Sequence, residues 1–208
     1  MFKYGSLAFM ITDIFSHDII LEDERALLRP IQESDFEYLL PFSLNEPEIW
    51  KYGLVTAAGK DNLRNYINSA VKNRNNKTEY TFIVFDKNQN TYAGSTRFYD
   101  IQQAYLTTQL GYTWYGQKFQ RTGLNRHCKL LLLNFCFEEW GLERVEFRAH
   151  AENKKSIEAM KAIGCVEEGI LRSQMPTVMG TRRDSAVLSI LKNEWVNGGK
   201  ELLKKKTF

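Results

Sequence analysis

TTQLGYTWYGQKFQRTGLNRHCKLLLLNFCFEEWG, residues Thr107 to Gly141, is the stretch from which the rest of the chain can be read. Its first nine residues alternate, with Leu110, Tyr112 and Trp114 on one side and Gly111, Thr113 and Tyr115 on the other, which predicts a strand. A polar turn runs from Gly116 to Gly123. Leu124 to Trp140 then reads as a helix that Gly141 terminates. Strand, glycine turn and helix start form an anion site: the turn exposes backbone N–H groups, and the helix N-terminus carries roughly half a positive charge.

Outward from this stretch, the pattern predicts one α/β domain over residues 26–208, with residues 1–25 as an N-terminal extension. Ala26 to Ile31 reads as a strand, and Ser34 to Leu40 as a short helix stopped by Pro41. Asn45 to Lys60 reads as a loop whose Trp50 and Tyr52 either line a substrate mouth or plug the core edge. Asp61 opens a helix with Leu63, Tyr66, Ile67, Ala70 and Val71 on one face. Strands at Tyr80–Phe85 and Tyr92–Ile101 lead into the one at Thr107, and their short polar turns predict an antiparallel meander. A strand at Arg144–His150, a helix from Lys154 that Gly164 stops, two strands joined by the turn 176–180, and a last helix from Glu194 complete the chain.

Composition narrows the function classes. Hydrophobic residues at 43% and charged residues at 25% permit a substantial core. A net charge of +3, without a clustered basic patch, argues against a nucleic-acid binder. No apolar run approaches the ~18 residues of a membrane span. The N-terminal apolar stretch is broken by Asp13 and lacks a cleavage pattern, so no signal peptide is expected. Cys128, Cys136 and Cys165 lack CxxC spacing, and His17, His127 and His150 are scattered, so neither a disulfide framework nor a metal site is expected. A Cys128 nucleophile activated by His127 is rejected, because neighbouring helical residues point about 100° apart.

Four features resemble the GCN5-related N-acetyltransferase (GNAT) superfamily, in the branch of the ribosomal-protein N-terminal acetyltransferases. The turn Gln120-Arg121-Thr122-Gly123-Leu124-Asn125 is similar to the Q/R-x-x-G-x-G/A pyrophosphate loop. LGYTWY precedes it, as does the strand that pairs with the cofactor's pantetheine arm in that family. FEEWGLERV (137–145) resembles the helix end and following strand. Glu152-Asn153 with Ser156, then Met160, Ile163 and Gly164, is similar to the E-N-x-x-S stretch and its helix end. The motifs cover about half the chain, in the expected order. Asn125 stands where a third small residue is usual, His150 where Asp is common, and Cys165 where an aromatic is common.

The resemblance implies an α/β (α+β) GNAT fold: a mixed, mostly antiparallel central sheet, splayed at the cofactor site, with helices on both faces. It implies a cytoplasmic, acetyl-CoA-dependent N-acetyltransferase that needs no metal. The acetyl group would pass by direct transfer in a ternary complex to a primary amine, either a protein or peptide N-terminus or a small amine. A non-catalytic CoA-binding scaffold on the same fold is the alternative. No membrane or nucleic-acid partner is implied, and a homodimer is left open. Backbone N–H groups of Arg121, Thr122, Gly123, Leu124 and Asn125 would hold the pyrophosphate, with Gln120 shaping the turn and Arg121 either adding charge or remaining a solvated cation. Trp114 and Tyr115 would offer main-chain contacts to pantetheine and the acetyl carbonyl. Asn153 and Ser156 match residues beside the thiol arm, and Ser156 is the candidate proton donor to the leaving thiolate, with simple helix capping as its rival role. Glu146 is the general-base candidate, with an exposed strand charge as the equal alternative; His150 is a second, weaker one.

Overall fold

Strand-forming segments join edge to edge here to pair their backbone N–H and C=O groups, and helices then cover the apolar sheet faces. The computed structural model describes residues 13–177 and 180–208. Among them eight strands form one sheet in the order β1-β2-β3-β4-β5-β6-β8-β7. These are β1 (Leu21–Glu22), β2 (Ala26–Pro30), β3 (Tyr80–Asp86), β4 (Thr91–Gln102), β5 (Thr107–Tyr115), β6 (Arg144–His150), β7 (Val166–Pro176) and β8 (Arg182–Leu191). Every neighbouring pair is antiparallel except β5 with β6. The expected mixed, mostly antiparallel sheet is therefore present.

The helices are α1 (Phe36–Asn45), α2 (Lys60–Asn75), α3 (Leu124–Asn134), α4 (Lys154–Ala162), α5 (Lys192–Glu194) and α6 (Lys200–Thr207). They cover both faces. Trp114 of β5 packs its ring against Phe42 of α1 and Tyr66 of α2. Its chain neighbour Thr113 points the other way and accepts a hydrogen bond from Lys129 of α3 at 3.0 Å. No helix among the described residues is long and apolar enough to cross a membrane.

The helix expected from Leu124 to Trp140 is an α-helix only to Asn134 and a π-type turn over Phe135–Glu139, and three other elements depart from the sequence expectation. Pro41 does not stop α1, which runs to Asn45 with the proline inside it. A mid-helix proline removes one N–H and costs about 3 kcal/mol. Burial of Leu39 and Phe42, with Phe42 wedged against Trp114 and Phe119, offsets that cost. The last helix is also broken: Gly198 takes φ 127° between α5 and α6, in a wide π-type turn anchored by buried Trp195. The third departure lies in β5. Leu110 stands opposite Phe98, whereas Tyr112 contacts Tyr99 and lies under the Arg97 guanidinium. Leu110 thus faces α3, and Tyr112 and Trp114 face α2. A bulge between the Ser95 and Arg97 registers, with Tyr112 at φ 49°, switches the faces.

Residues 13–25, in the expected extension, pack onto the sheet. Ile14, Ile19 and Leu21 are buried, and β1 pairs with β2. Asp23 closes the hairpin between them, its Oδ1 accepting the N–H groups of Arg25 and Ala26 at 2.9 and 2.8 Å.

Candidate functional site

The site begins where two strands part. β5 and β6 pair only over Thr107–Gln109 and Arg144–Glu146. Beyond those three residues β5 keeps its β4 neighbour and β6 its β8 neighbour, but they leave each other. Leu110–Tyr115 and Phe147–His150 therefore flank a wedge, and the bulge at Tyr112 is on its β5 wall. A non-glycine residue at positive φ stores about 1–3 kcal/mol of strain, which is common at binding sites. Arg97 supports it here: it stacks over the Tyr66 and Tyr112 rings and pairs with Glu79 at 2.8 Å. The opposite strand allows the close approach through Gly94, where a Cβ would fall 2.0 Å from the Trp114 carbonyl oxygen.

The wedge opens into a cleft of about 850 Å³ that reaches from the start of α3 to the loop bearing Tyr52. At the α3 end the turn is held by its own side chains. Gln120 donates from Nε2 to the Tyr115 carbonyl at 3.0 Å and accepts at Oε1 from Lys155 of α4 at 2.5 Å. Thr122 donates to the Phe119 carbonyl at 2.7 Å. Arg121 and Gly123 take positive φ, 63° and 93°. The N–H groups of Arg121, Thr122, Gly123 and Asn125 have no acceptor among the described residues, as the first turn of a helix leaves them. The N–H of Leu124 has only the Thr122 hydroxyl, at 3.5 Å. Arg121, Arg126, Lys155 and Lys206 line this end, and no carboxylate among the described residues does. Unsatisfied donors and four cations fit a phosphorylated ligand. The Asn125 Oδ1, an acceptor, is buried there without a partner among the described residues.

The structure brings most of the expected residues into this cleft. Trp114, Tyr115, Gln120, Arg121, Gly123, Asn125, Asn153 and Ser156 all line it. Trp114 is buried against Trp50, with ring centroids 5.0 Å apart and Nε1 unpartnered. Trp50 and Tyr52 thus serve both core edge and mouth. Tyr115 is buried toward α3, and burial pushes its phenol well above the usual range. Asn153, not Ser156, caps α4: its Oδ1 accepts the Ser156 N–H at 3.1 Å. The Ser156 hydroxyl is left without a partner among the described residues and lines the cleft. Thr122 and Leu124 do not line the cleft: the Thr122 hydroxyl holds the turn and the Leu124 side chain is in the core.

Glu146 is not brought in. Its two oxygens are taken by Arg144 at 2.9 Å and Arg148 at 2.6 Å, and Arg144 continues to Glu168. With both oxygens held in ion pairs along the strand, neither is left free to meet an amine in the cleft. His150 does line the cleft, but its Nδ1 accepts the Glu152 N–H at 3.2 Å. With Nδ1 so engaged, Nε2 is the ring nitrogen left without a partner among the described residues. Cys128 is fully buried, and burial pushes its thiol up to about 12, which removes it as a nucleophile.

Several lining side chains carry no individual role in the sequence reading: Lys129, Tyr99, Tyr112 and Arg183. Lys129 had a readable signal, a lone cation inside the apolar face of α3. It is 5% exposed, has no carboxylate partner among the described residues, and donates only to Thr113. Burial lowers its pKa from 10.5 to about 8. The native state therefore binds fewer protons than the unfolded chain between those values, and this group's contribution to stability rises with pH across that window. Below pH 8 the buried ammonium costs roughly 3 kcal/mol. Lys129→Met is expected to stabilise the fold at pH 7 by up to that amount, and the gap to wild type should close toward pH 10. Urea unfolding of both proteins at the two pH values measures it; a gap independent of pH would contradict the buried-lysine reading.

Comparison with known proteins agrees with this geometry. The family description Acetyltransferase (GNAT) domain matches residues 25–166. Over 102 residues the chain is 31% identical to YdaF of Bacillus subtilis (strain 168), provisionally named a ribosomal N-acetyltransferase. That match spans 49% of this chain and 55% of YdaF, about half of each. The crystal structure of a GCN5-related N-acetyltransferase from Brucella melitensis superposes with a TM-score of 0.85 at 24% identity, covering 92% of this chain and 86% of that one. The ribosomal-protein-S5-alanine acetyltransferase of Vibrio fischeri gives a TM-score of 0.70 at 20% identity, covering 86% and 99%. At such identities the two structures speak for the fold alone. The domain match runs from Arg25 to Val166, over the strands, turn and helix that build the cleft, so the chain belongs to the GNAT family and is an acetyltransferase.

Proposed function

We propose that this protein is a cytoplasmic enzyme that transfers the acetyl group of acetyl-CoA to a primary amine, directly, within a ternary complex. One observation carries the reading: the unpaired edge of β5 and the unsatisfied N–H groups at the start of α3 open into the same cleft. The first suits the amides of a pantetheine arm, and the second, with Arg121, Arg126, Lys155 and Lys206, suits a pyrophosphate. Acetyl-CoA, when bound, supplies an activated thioester carbonyl.

In this reading the chain's main contribution is alignment. The turn at 120–125 fixes the phosphates, the β5 edge fixes the arm, and the amine enters from the Tyr52 side. Backbone N–H on β5 steadies the carbonyl oxygen as it gains charge. The Ser156 hydroxyl, free of protein partners, donates to the departing thiolate. Glu146 has no part in the scheme. The acceptor must arrive neutral, which an α-amino group with a reference pKa near ~7.8 does far more readily than a lysine side chain near ~10.4. A protein or peptide N-terminus is therefore the favoured acceptor, in keeping with the names of YdaF and the Vibrio fischeri enzyme.

The reaction is tested by release of free CoA thiol from acetyl-CoA in the presence of a panel of N-terminal peptides and small amines. Turnover with at least one α-amine is expected. Tight CoA binding with no release on any acceptor would favour a non-catalytic CoA-binding role. The turn is tested separately. A Cβ at Gly123 meets nothing within 4 Å, so a substitution there acts through its φ of 93° and not through a clash. Gly123→Val is expected to weaken CoA binding about tenfold, and Gly123→Asn, which tolerates left-handed backbone, much less. Calorimetric titration with CoA, alongside a thermal melt, checks this; equal affinity in all three proteins would remove the phosphate from this turn.

A further inference from the structure

The end of the cleft away from α3 holds a buried cation with no counter-ion. Arg183 of β8 is 5% exposed and lines the cleft. Its Nε donates to the Ser185 hydroxyl at 3.0 Å, and its Nη1 to the Tyr52 carbonyl at 3.2 Å. Both acceptors are neutral. Its second terminal nitrogen has no acceptor, and no carboxylate lies within ion-pair distance of the guanidinium, among the described residues. Nearby Arg148 behaves in the ordinary way, paired with Glu146 at 2.6 Å.

The surroundings of Arg183 do not supply the missing charge. Asp100 is the one carboxylate among the described residues lining the cleft, and its two oxygens already accept Gln102 and Gln109 amides at 2.8 and 2.7 Å. Tyr99 and Tyr112 line the same cleft, and neither hydroxyl has a hydrogen-bond partner among the described residues. Gln174, next to the Met175 that pairs with Arg183, leaves its Oε1 buried and unpartnered. Buried charges are ordinarily paired, because an uncompensated one forfeits its hydration for nothing. A planar fork with one free terminal nitrogen, in a cleft that two free tyrosine hydroxyls also line, matches a carboxylate. The same positive field would repel a polycationic amine such as a polyamine.

We propose that the acceptor is an amine bearing a carboxylate, and that Arg183, with the Tyr99 and Tyr112 hydroxyls, binds that carboxylate. This rests on the reading of the cleft as an acetyl-transfer site. The Gln174 oxygen takes an N–H of the same ligand. The carboxylate comes either from an acidic residue in a peptide or from a small amino acid, and two matched probe pairs separate these sources. One pair is Ala-Glu-Ala-amide with Ala-Gln-Ala-amide; the other is γ-aminobutyrate with butylamine.

Binding of each probe is read by quenching of tryptophan fluorescence, since Trp50 and Trp114 line the cleft, and transfer is read by CoA release. The charged member of at least one pair is expected to bind about tenfold tighter, with the same preference in kcat/KM. Arg183→Gln should abolish that preference while leaving CoA affinity unchanged. Because Arg183 also holds the Tyr52 loop, Arg183→Lys serves as a second variant that keeps the charge and should keep part of the preference. Equal binding within both pairs by the wild-type protein, or a preference that survives in Arg183→Gln, overturns the carboxylate site. The transfer reading fails differently: the charged probes bind in an Arg183-dependent way, yet no probe or wider acceptor releases CoA.

Discussion

The arrangement depends on a limit to one strand pairing. β5 and β6 share a parallel ladder for three residues and then diverge, each held by its other neighbour. A longer ladder would close the sheet and leave no cleft. Backbone N–H and C=O groups seldom go unpaired in a protein interior. A β5 edge without a protein partner, on an otherwise continuous sheet, therefore calls for either water or a ligand that can act as a strand. Everything else that lines the cleft is positioned by that parting: α3 starts at the mouth of the gap, and α4 reaches across through the Lys155–Gln120 bond.

Charge divides the cleft into two ends with different chemistry. Cations around the start of α3 accompany unsatisfied backbone donors, an arrangement for phosphate. At the far end the Arg183 guanidinium is buried with only neutral acceptors among the described residues. Between them Lys129 sits at the wedge, shifted toward neutrality by burial. The acceptor's own amine would feel positive potential from both sides, which favours its neutral, nucleophilic form.

Much of this was legible in the chain. Alternation gave β5, β6 and β8 at their observed bounds, because each has one clearly apolar face or lies between strong turns. The turn at 120–125 could be read because glycine and its polar neighbours leave few backbone choices. What escaped depends on contacts remote in sequence. The bulge at Tyr112 is set by Gly94 and Arg97 on the neighbouring strand, and no local pattern announces it. Pro41 remains helical because Phe42 packs against β5 and Phe119. Glu146 looked available, yet Arg144 and Arg148, two residues away on either side, share its strand face and claim it. Those spacings were in plain sight, and the period of two should have flagged the pairing. The burial of Arg183 depends on the Tyr52 loop, whose carbonyl accepts its Nη1 from 131 residues away in sequence.

Hydrogen–deuterium exchange with and without saturating CoA is the most direct measurement of the central claim, that the unpaired edge of β5 is completed by the cofactor's arm. Amides within 110–115 and 121–125 should exchange markedly more slowly in the complex, while those of β2 and β3 stay unchanged. Tight CoA binding with no added protection at 110–115 would contradict the account.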